Sequence, residues 1–126
     1  MLAVTTSAVN TRLFGIHGAA LEVRSQRMGL IASNIANAAT PGFKARDVDF
    51  DAALRARLDS GAAGAPAANE AAGLTYRRPT MQSLDGNTVE LAREQVAFAE
   101  NALSYSASLT FVQGRINTIT RAIKGE

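Results

Sequence analysis

The sequence contains no cysteine and no tryptophan, and His17 is its only histidine. Without cysteine there is no disulfide framework and no thiolate nucleophile. A zinc site needs several histidine or cysteine ligands, so a lone histidine does not provide one. These absences predict a chain without a metal site, a bound cofactor or catalytic residues.

Long hydrophobic runs are also missing. No stretch approaches the roughly 20 apolar residues that a membrane span requires. Met1–Thr6 lacks a basic segment followed by an apolar one, so we expect no cleavable secretory signal. Thirteen Lys and Arg face eleven Asp and Glu, scattered singly or in pairs such as Arg77-Arg78. This pattern predicts no nucleic-acid partner, and nothing in the composition suggests a small-molecule substrate.

Aromatic residues make up only 6% of the chain, although 47% of it is apolar. Much of the apolar content is alanine, which packs helices closely but buries little area per residue. We therefore expect long helices around a thin core rather than a thick globular interior.

Three aspartates alternate at Asp47, Asp49 and Asp51, as at the start of a calcium-binding EF-hand loop. Counted from Asp47, the required glycine falls at Ala52 and the required glutamate at Leu58, so the match is rejected. Capping chemistry explains the aspartates better. We expect Asp49 or Asp51 to open a short helix over residues 51–58.

The C-terminal third carries the strongest periodicity. Apolar residues recur there at steps of three and four, interrupted once by Gln95, which predicts a long helix over Val89–Lys124 with one packing stripe. After the Asp85-Gly86 turn, Asn87 is predicted to cap this helix, with Glu90 at its third position. The stripe, called the predicted seam below, comprises Leu91, Phe98, Ala102, Tyr105, Leu109, Val112, Ile116, Ile119 and Ile123.

The N-terminal third repeats the pattern over Ser7–Ala38. Its helix is weakened by glycines, each costing up to about 1 kcal/mol relative to alanine, so packing must hold it. The residues predicted to pack on the seam are Leu21, Met28, Ile31 and Ile35.

Each long helix carries a second apolar stripe on its other side. A hairpin of two helices covers one face of each, so the second stripes are predicted to meet neighbouring subunits. These stripes are Val89, Val96 and Leu103 on the C-terminal helix, and Leu13, Ile16, Val23 and Leu30 on the N-terminal one.

The middle of the chain is of a different kind. Thr40-Pro41-Gly42 predicts a helix stop followed by a turn. Residues 60–73 are almost entirely Ala, Gly and Pro and are interpreted as a mobile connector, and residues 74–78 as an extended segment ended by Pro79. We expect one all-α domain built from both termini, with helices at 1–39 and 88–126 packed as an antiparallel coiled-coil-like hairpin. Residues 40–87 form the extended arm that joins them.

The run from Ile31 to Lys44, IASNIANAATPGFK, resembles the N-terminal signature of the flagellar rod and hook proteins. Two more segments, residues 44–50 and 83–105, resemble the members of that family that build the proximal rod. Ala39 departs from the acidic or polar residue common there. The signature positions are Ser33, Asn34, Asn37, Thr40, Pro41, Gly42 and Phe43.

This resemblance implies a structural subunit rather than an enzyme. Such proteins are exported from the cytoplasm through the flagellar type III apparatus without a cleaved signal. They polymerise in the periplasmic part of the basal body. The implied partners are other copies of the chain, neighbouring rod proteins, and the membrane-ring and rod-base adaptor proteins.

Three alternatives differ in class or position. A soluble coiled-coil adaptor or export chaperone has similar heptads but does not require the run from Asn34 to Phe43. A small enzyme, or a subunit of one, would need a constellation of reactive side chains that the sequence does not offer. Another rod protein of the same family is the third alternative, and residues 83–105 argue against it.

Overall fold

Two long helices, α1 (Leu2–Ala36) and α3 (Leu91–Lys124), pack against each other. The computed structural model describes residues 2–60 and 73–125, with side chains described from residue 13 onwards. Between the long helices lie strand β1 (Arg46–Val48), helix α2 (Phe50–Ser60) and strand β2 (Leu74–Tyr76). The predicted all-α hairpin is confirmed, since within the described ranges the only sheet is this pair of three-residue strands.

The middle segment folds back on the hairpin. β1 and β2 pair antiparallel, with Arg46 opposite Tyr76 and Val48 opposite Leu74. The extended segment predicted at residues 74–78 is therefore a strand in its first half. The predicted mobile connector lies mostly outside the described residues.

Helix α2 begins where a capping residue was predicted. The Asp49 carboxylate accepts a hydrogen bond from the Ala52 backbone N–H at 3.2 Å, which satisfies one of the free donors of the first turn. The backbone N–H of Asp49 itself donates to the Gly73 carbonyl at 2.7 Å. One residue thus starts the helix and ties it to the end of the connector.

A small apolar core lies between α1 and the middle segment. Val23 on α1, Val48 on β1 and Ala53 on α2 are buried together, and Leu30 and Phe50 pack against them. The prediction that the whole second stripe of α1 meets neighbouring subunits is therefore wrong for Val23 and Leu30. The sequence pattern missed this cover because α2 and β1 are short and contribute few apolar residues.

The interface between α1 and α3 is made mainly by small and polar residues. Arg24 and Asn101 are in contact there, as Asn101 donates its side-chain N–H to the Arg24 carbonyl at 2.9 Å. Small side chains at such positions let two helices approach closely, and buried polar groups then require partners. The buried residues of α3 are Glu94, Ala97, Asn101, Ser108 and Val112.

Part of the predicted seam lies one position C-terminal to this buried row, as Phe98 does to Ala97 and Leu109 to Ser108. Only Val112 of the seam is buried, and only Ile31 of its predicted partners. Half-buried positions flanking the interface are Leu21, Met28, Ile35, Ala102, Tyr105 and Ile119, while Leu91, Phe98, Leu109, Ile116 and Ile123 are exposed. The predicted pairing of the seam with α1 is thus wrong in its register.

The N-terminus of α3 also differs from the prediction. The helix begins at Leu91, so Glu90 occupies the N-cap position, and no side chain caps it. The predicted cap at Asn87 is wrong because both side chains bind elsewhere. Glu90 accepts hydrogen bonds from the backbone and hydroxyl of Thr80, while Asn87 binds the end of α1. The far end closes at Gly125 (φ 75°), whose N–H donates to the Arg121 carbonyl.

Candidate functional site

The signature turn, residues 33–43, comprises the last residues of α1 and the chain reversal that follows them. Asn37 donates its side-chain N–H to the Ser33 carbonyl at 2.8 Å and accepts from the Thr40 hydroxyl at 3.1 Å. Gly42 has a φ of 74°, a conformation that other residues adopt at a cost. The local chemistry of these residues ends the helix and reverses the chain.

Asn87 holds the signature turn from outside. Its side-chain N–H group donates to the carbonyls of Asn37 and Ala38 at 3.0 Å and of Thr40 at 2.8 Å. These carbonyls lie just beyond the last residue of α1, where the helical hydrogen-bond pattern ends, and the buried Asn87 amide supplies donors to them. The side-chain oxygen of Asn87 accepts from the Val89 N–H at 2.7 Å, which fixes the chain just before α3. One side chain therefore connects the end of α1 to the start of α3.

Further bonds run along the same two segments. The Gly42 N–H donates to the Asp85 carbonyl and the Thr88 N–H to the Phe43 carbonyl, both at 2.9 Å. The Ala45 N–H donates to the Thr88 hydroxyl and the Lys44 ammonium to the Gly86 carbonyl, both at 2.7 Å. The two segments singled out in the sequence, 31–44 and 83–91, are thus structural partners.

Asn34, one turn before the end of α1, is buried and pairs with the edge of β1. Its side chain donates to the Arg46 carbonyl at 2.7 Å and accepts from the Arg46 N–H at 3.1 Å. The same amide donates to Glu94 at 3.2 Å. The signature residue Asn34 therefore holds α1, β1 and α3 together.

Four charged side chains surround this contact. Together with Asn34 we call them the polar cluster: Arg27, Asn34, Asp47, Arg77 and Glu94. Arg77, from the end of β2, binds the carboxylates of both Asp47 and Glu94. Arg27 of α1 binds Asp47 through two nitrogens, at 2.9 and 3.2 Å. Glu94 is fully buried at 0% exposure, which requires this pairing.

The electrostatics of the polar cluster favour the ionised form of Asp47. Burial acts to raise the pKa of Asp47, but hydrogen bonds from Arg27, Arg77 and the Val48 N–H outweigh it and lower the pKa overall. Outside the cluster, hydrogen bonds from Thr80 lower the pKa of Glu90 to about 2. These acids are held ionised by partners rather than poised to exchange protons.

The other candidate chemistry is also accounted for by packing. The His17 ring stacks on Phe111 with 4.6 Å between the ring centres. Across residues 2–60 and 73–125, no group of three or more His, Cys, Asp or Glu is arranged to hold a metal ion. A search of the same residues finds no helix long and apolar enough to cross a membrane.

A row of large apolar side chains on the far side of α3 has no cover from the described part of the chain. Val96 is 58% exposed and Leu103 75%. We call these two residues the outer surface. The exposed part of the predicted seam lies on a different flank of the same helix, so α3 offers apolar contacts in more than one direction.

Sequence reasoning missed the polar cluster. Asp47 was interpreted as turn and capping chemistry, and Arg77 only as one of the scattered basic residues. One signal was available on α3, where Glu94, Asn101 and Ser108 recur every seven residues. A polar stripe of helical period beside an apolar one indicates a buried polar interface when its members have partners on another element.

The signature turn and most of the rest of the chain are similar to known proteins. The family described as flagella basal body rod protein matches residues 15–44, which include the signature turn. Similar chains named flagellar basal body rod protein FlgB occur in several bacteria. The one from Cereibacter sphaeroides is 50% identical, covering 89% of this chain and 94% of its own length. Those from Aeromonas hydrophila and Salmonella typhimurium are 43% and 38% identical, over 91% and 84% of this chain and 95% and 88% of their own.

Proposed function

The chain belongs to the FlgB family of flagellar basal body rod proteins, and we propose from this premise that it builds the proximal rod through its two terminal helices. Its relatives, which are up to 50% identical, are named as flagellar basal body rod proteins. The proposal adds which surfaces polymerise, where the subunit sits and which proteins surround it.

The observation that carries the proposal is the outer surface of α3. Leu103 is 75% exposed at the middle of a long, regular helix. Full burial of such a side chain contributes about 1.5–3 kcal/mol, and burial of Val96 beside it adds a similar amount. A face of this kind is typical of a protein interaction surface.

The polar contacts support the proposal by making the hairpin rigid. Asn87 and the polar cluster fix how α1 and α3 lie against each other before any neighbour arrives. A preformed pair of helices loses less conformational freedom on assembly than a disordered one. The subunit therefore presents its outer surface ready for contact.

The rod core of this proposal consists of residues 1–39 and 88–126, with residues 40–87 folded back on it. Other copies of the chain and neighbouring rod proteins cover the outer surface. At the base, the subunit contacts the membrane-ring and adaptor proteins and so links the ring and export apparatus to the rest of the drive shaft. It reaches the periplasm through the flagellar type III apparatus without a cleaved signal, and it has no enzymatic activity.

The soluble adaptor and export chaperone receive no support from the comparisons, because the relatives are named as rod proteins. The same names argue against a different member of the rod and hook family.

Leu103→Asp tests the outer surface. Because the side chain is exposed in the single subunit, the variant should keep the helical circular dichroism spectrum of the wild type. Expressed in a deletion strain, it should fail to restore swimming in soft agar, and cryotomography should show membrane rings without rods. Leu103→Met is the matched control, since it keeps an apolar side chain of similar size, and it should restore rods. Normal rods with Leu103→Asp would overturn the role of this surface.

A further inference from the structure

Helix α1 is interrupted at a single residue. Gly15 has φ 62° and ψ −149°, far from helical values, while helical structure continues on both sides. This region of backbone space is essentially restricted to glycine. Another glycine of the same helix, Gly29, has ordinary helical backbone angles.

The interruption is held by contacts from α3. Arg115 donates its Nε–H to the Leu13 carbonyl at 2.7 Å. In a regular helix that carbonyl would accept from the N–H four residues later, at His17. His17 instead lies just beyond the break, where its ring stacks on Phe111. Two side chains of α3 thus engage the residues on either side of Gly15.

The pairing of the two long helices keeps one register up to this point. Asn34 contacts Glu94 and His17 contacts Phe111, and seventeen residues separate the two members on each helix. Leu13 and Arg115 continue that register four residues further on both helices.

Beyond the break, the C-terminal end of α3 retains exposed apolar side chains. Ile116 is exposed and Ile123 is 81% exposed, while Ile119 between them is half-buried. A straight α1 in the same register would bring Val9 beside Ile119 and Thr5 beside Ile123. The surface left open by the bend therefore matches the length and register of the chain's own N-terminal segment.

We infer that Gly15 is a hinge at which residues 2–14 of α1 move between this bent state and a straight state that covers the C-terminal end of α3. In the bent state Arg115 satisfies the Leu13 carbonyl, and in the straight state the helix itself does. The straight state exchanges that single side-chain bond for a regular helix and for burial of Ile116 and Ile123. The hinge is a property of the single subunit and does not depend on the rod assignment.

Gly15→Ala tests the hinge through the backbone alone. A Cβ at Gly15 meets nothing within 4 Å, so the substitution introduces no steric clash. An alanine disfavours the bent conformation and should raise the ratio of straight to bent molecules by about tenfold or more. Gly29→Ala is the matched control, because it also meets nothing within 4 Å and lies at ordinary helical angles.

Distances between two spin labels measure the populations. The chain has no cysteine, so Ala8→Cys with Thr120→Cys gives a doubly labelled subunit without background. Packed helices lie about 8–10 Å apart, so labels at these positions should be within about 20 Å of each other in the straight state. We expect Gly15→Ala to increase the short-distance population, and Gly29→Ala to leave the wild-type distribution unchanged.

Arg115→Gln provides a second, independent variant. It removes the charged donor that holds the Leu13 carbonyl, so it should shift the distribution in the same direction as Gly15→Ala. If Gly15→Ala does not fold, as judged by circular dichroism, this variant decides. The inference is overturned if the folded variants keep the wild-type distance distribution, or if the wild type already shows only the short distance.

Discussion

Removing the Glu94 carboxylate should cost a large part of the stability of the folded chain. Glu94 is fully buried and binds Arg77, whose side chain is itself largely buried. Deleting one member of a buried pair typically costs about 3–5 kcal/mol, and Arg77 would keep only Asp47 as a partner in a poorly solvated site. Domains of this size are stable by only about 5–15 kcal/mol. Glu94→Ala should therefore lower the free energy of unfolding by about a fifth or more.

A double-mutant cycle measures the interaction energy of Glu94 with Arg77 separately from the effect of losing each side chain. Arg77→Met alone should cost at least as much as Glu94→Ala, because it leaves a fully buried carboxylate with only the Asn34 amide as a donor. Replacing both charges, as in Glu94→Ala with Arg77→Met, should cost less than the sum of the single changes. The remaining loss reflects Asp47, which keeps Arg27 as its partner.

Urea unfolding followed by far-ultraviolet circular dichroism measures these free energies, since the chain has no tryptophan for fluorescence. Glu100→Ala is the control on the same helix. Its side chain is exposed, so its effect should stay within about 0.5 kcal/mol. Equal midpoints for Glu94→Ala and Glu100→Ala would refute the reasoning that breaking the buried Glu94–Arg77 pair destabilises the hairpin.

Three further predictions concern the signature turn, the end of the connector and the loss of stability at low pH. Asn87→Ala should lower the free energy of unfolding by about 1–3 kcal/mol in thermal or urea melts, because buried carbonyls lose their donor, whereas the exposed Asn117→Ala should not. Gly73→Ala should cost about 1–3 kcal/mol in the same melts, since φ is 76° and a Cβ would lie 2.7 Å from the Asp49 carbonyl oxygen; an unchanged midpoint would contradict this. The pKa of Asp47 is lowered in the folded state, so its stabilisation is present above about pH 4, the unfolded value, and is lost as the pH falls through the lower folded value. Asp47→Asn should remove this contribution, and a wild-type pH profile of stability in that variant would show that the carboxylate contributes none.

Sequence periodicity was sufficient to predict the long helices. Alternating steps of three and four repeat through most of α3, and such a signal does not depend on what the helix touches. The register of the interface was not predictable in the same way. Apolar patterning does not distinguish contacts within the subunit from surface left for a neighbour. The buried row through Ala97 and Asn101 is less apolar than the flank carrying Phe98 and Leu109.

The polar cluster lay beyond sequence reasoning for a different reason. Arg27 and Asp47 are 20 positions apart, and Asp47 and Arg77 are 30 apart. Local spacing rules apply within a turn of helix or across a tight hairpin, and none reaches these separations. Asn87 shows a related failure. A local rule singled out this amide as a cap of α3, but the carbonyls it binds lie in the turn that follows α1.

Unlike an ordinary helical bundle, the hairpin buries several polar groups between its helices and leaves large apolar groups exposed. Hydrogen bonds are directional, so sliding α3 by one turn along α1 would leave Glu94 and Asn34 buried without partners. The polar interior therefore selects one register, although it contributes little net stability. The apolar outer surface, with Val96 and Leu103 exposed, contributes little to the single chain and much once a neighbour covers it. Because association then adds its own free energy to folding, the subunit should be weakly stable alone and strongly stabilised in the rod.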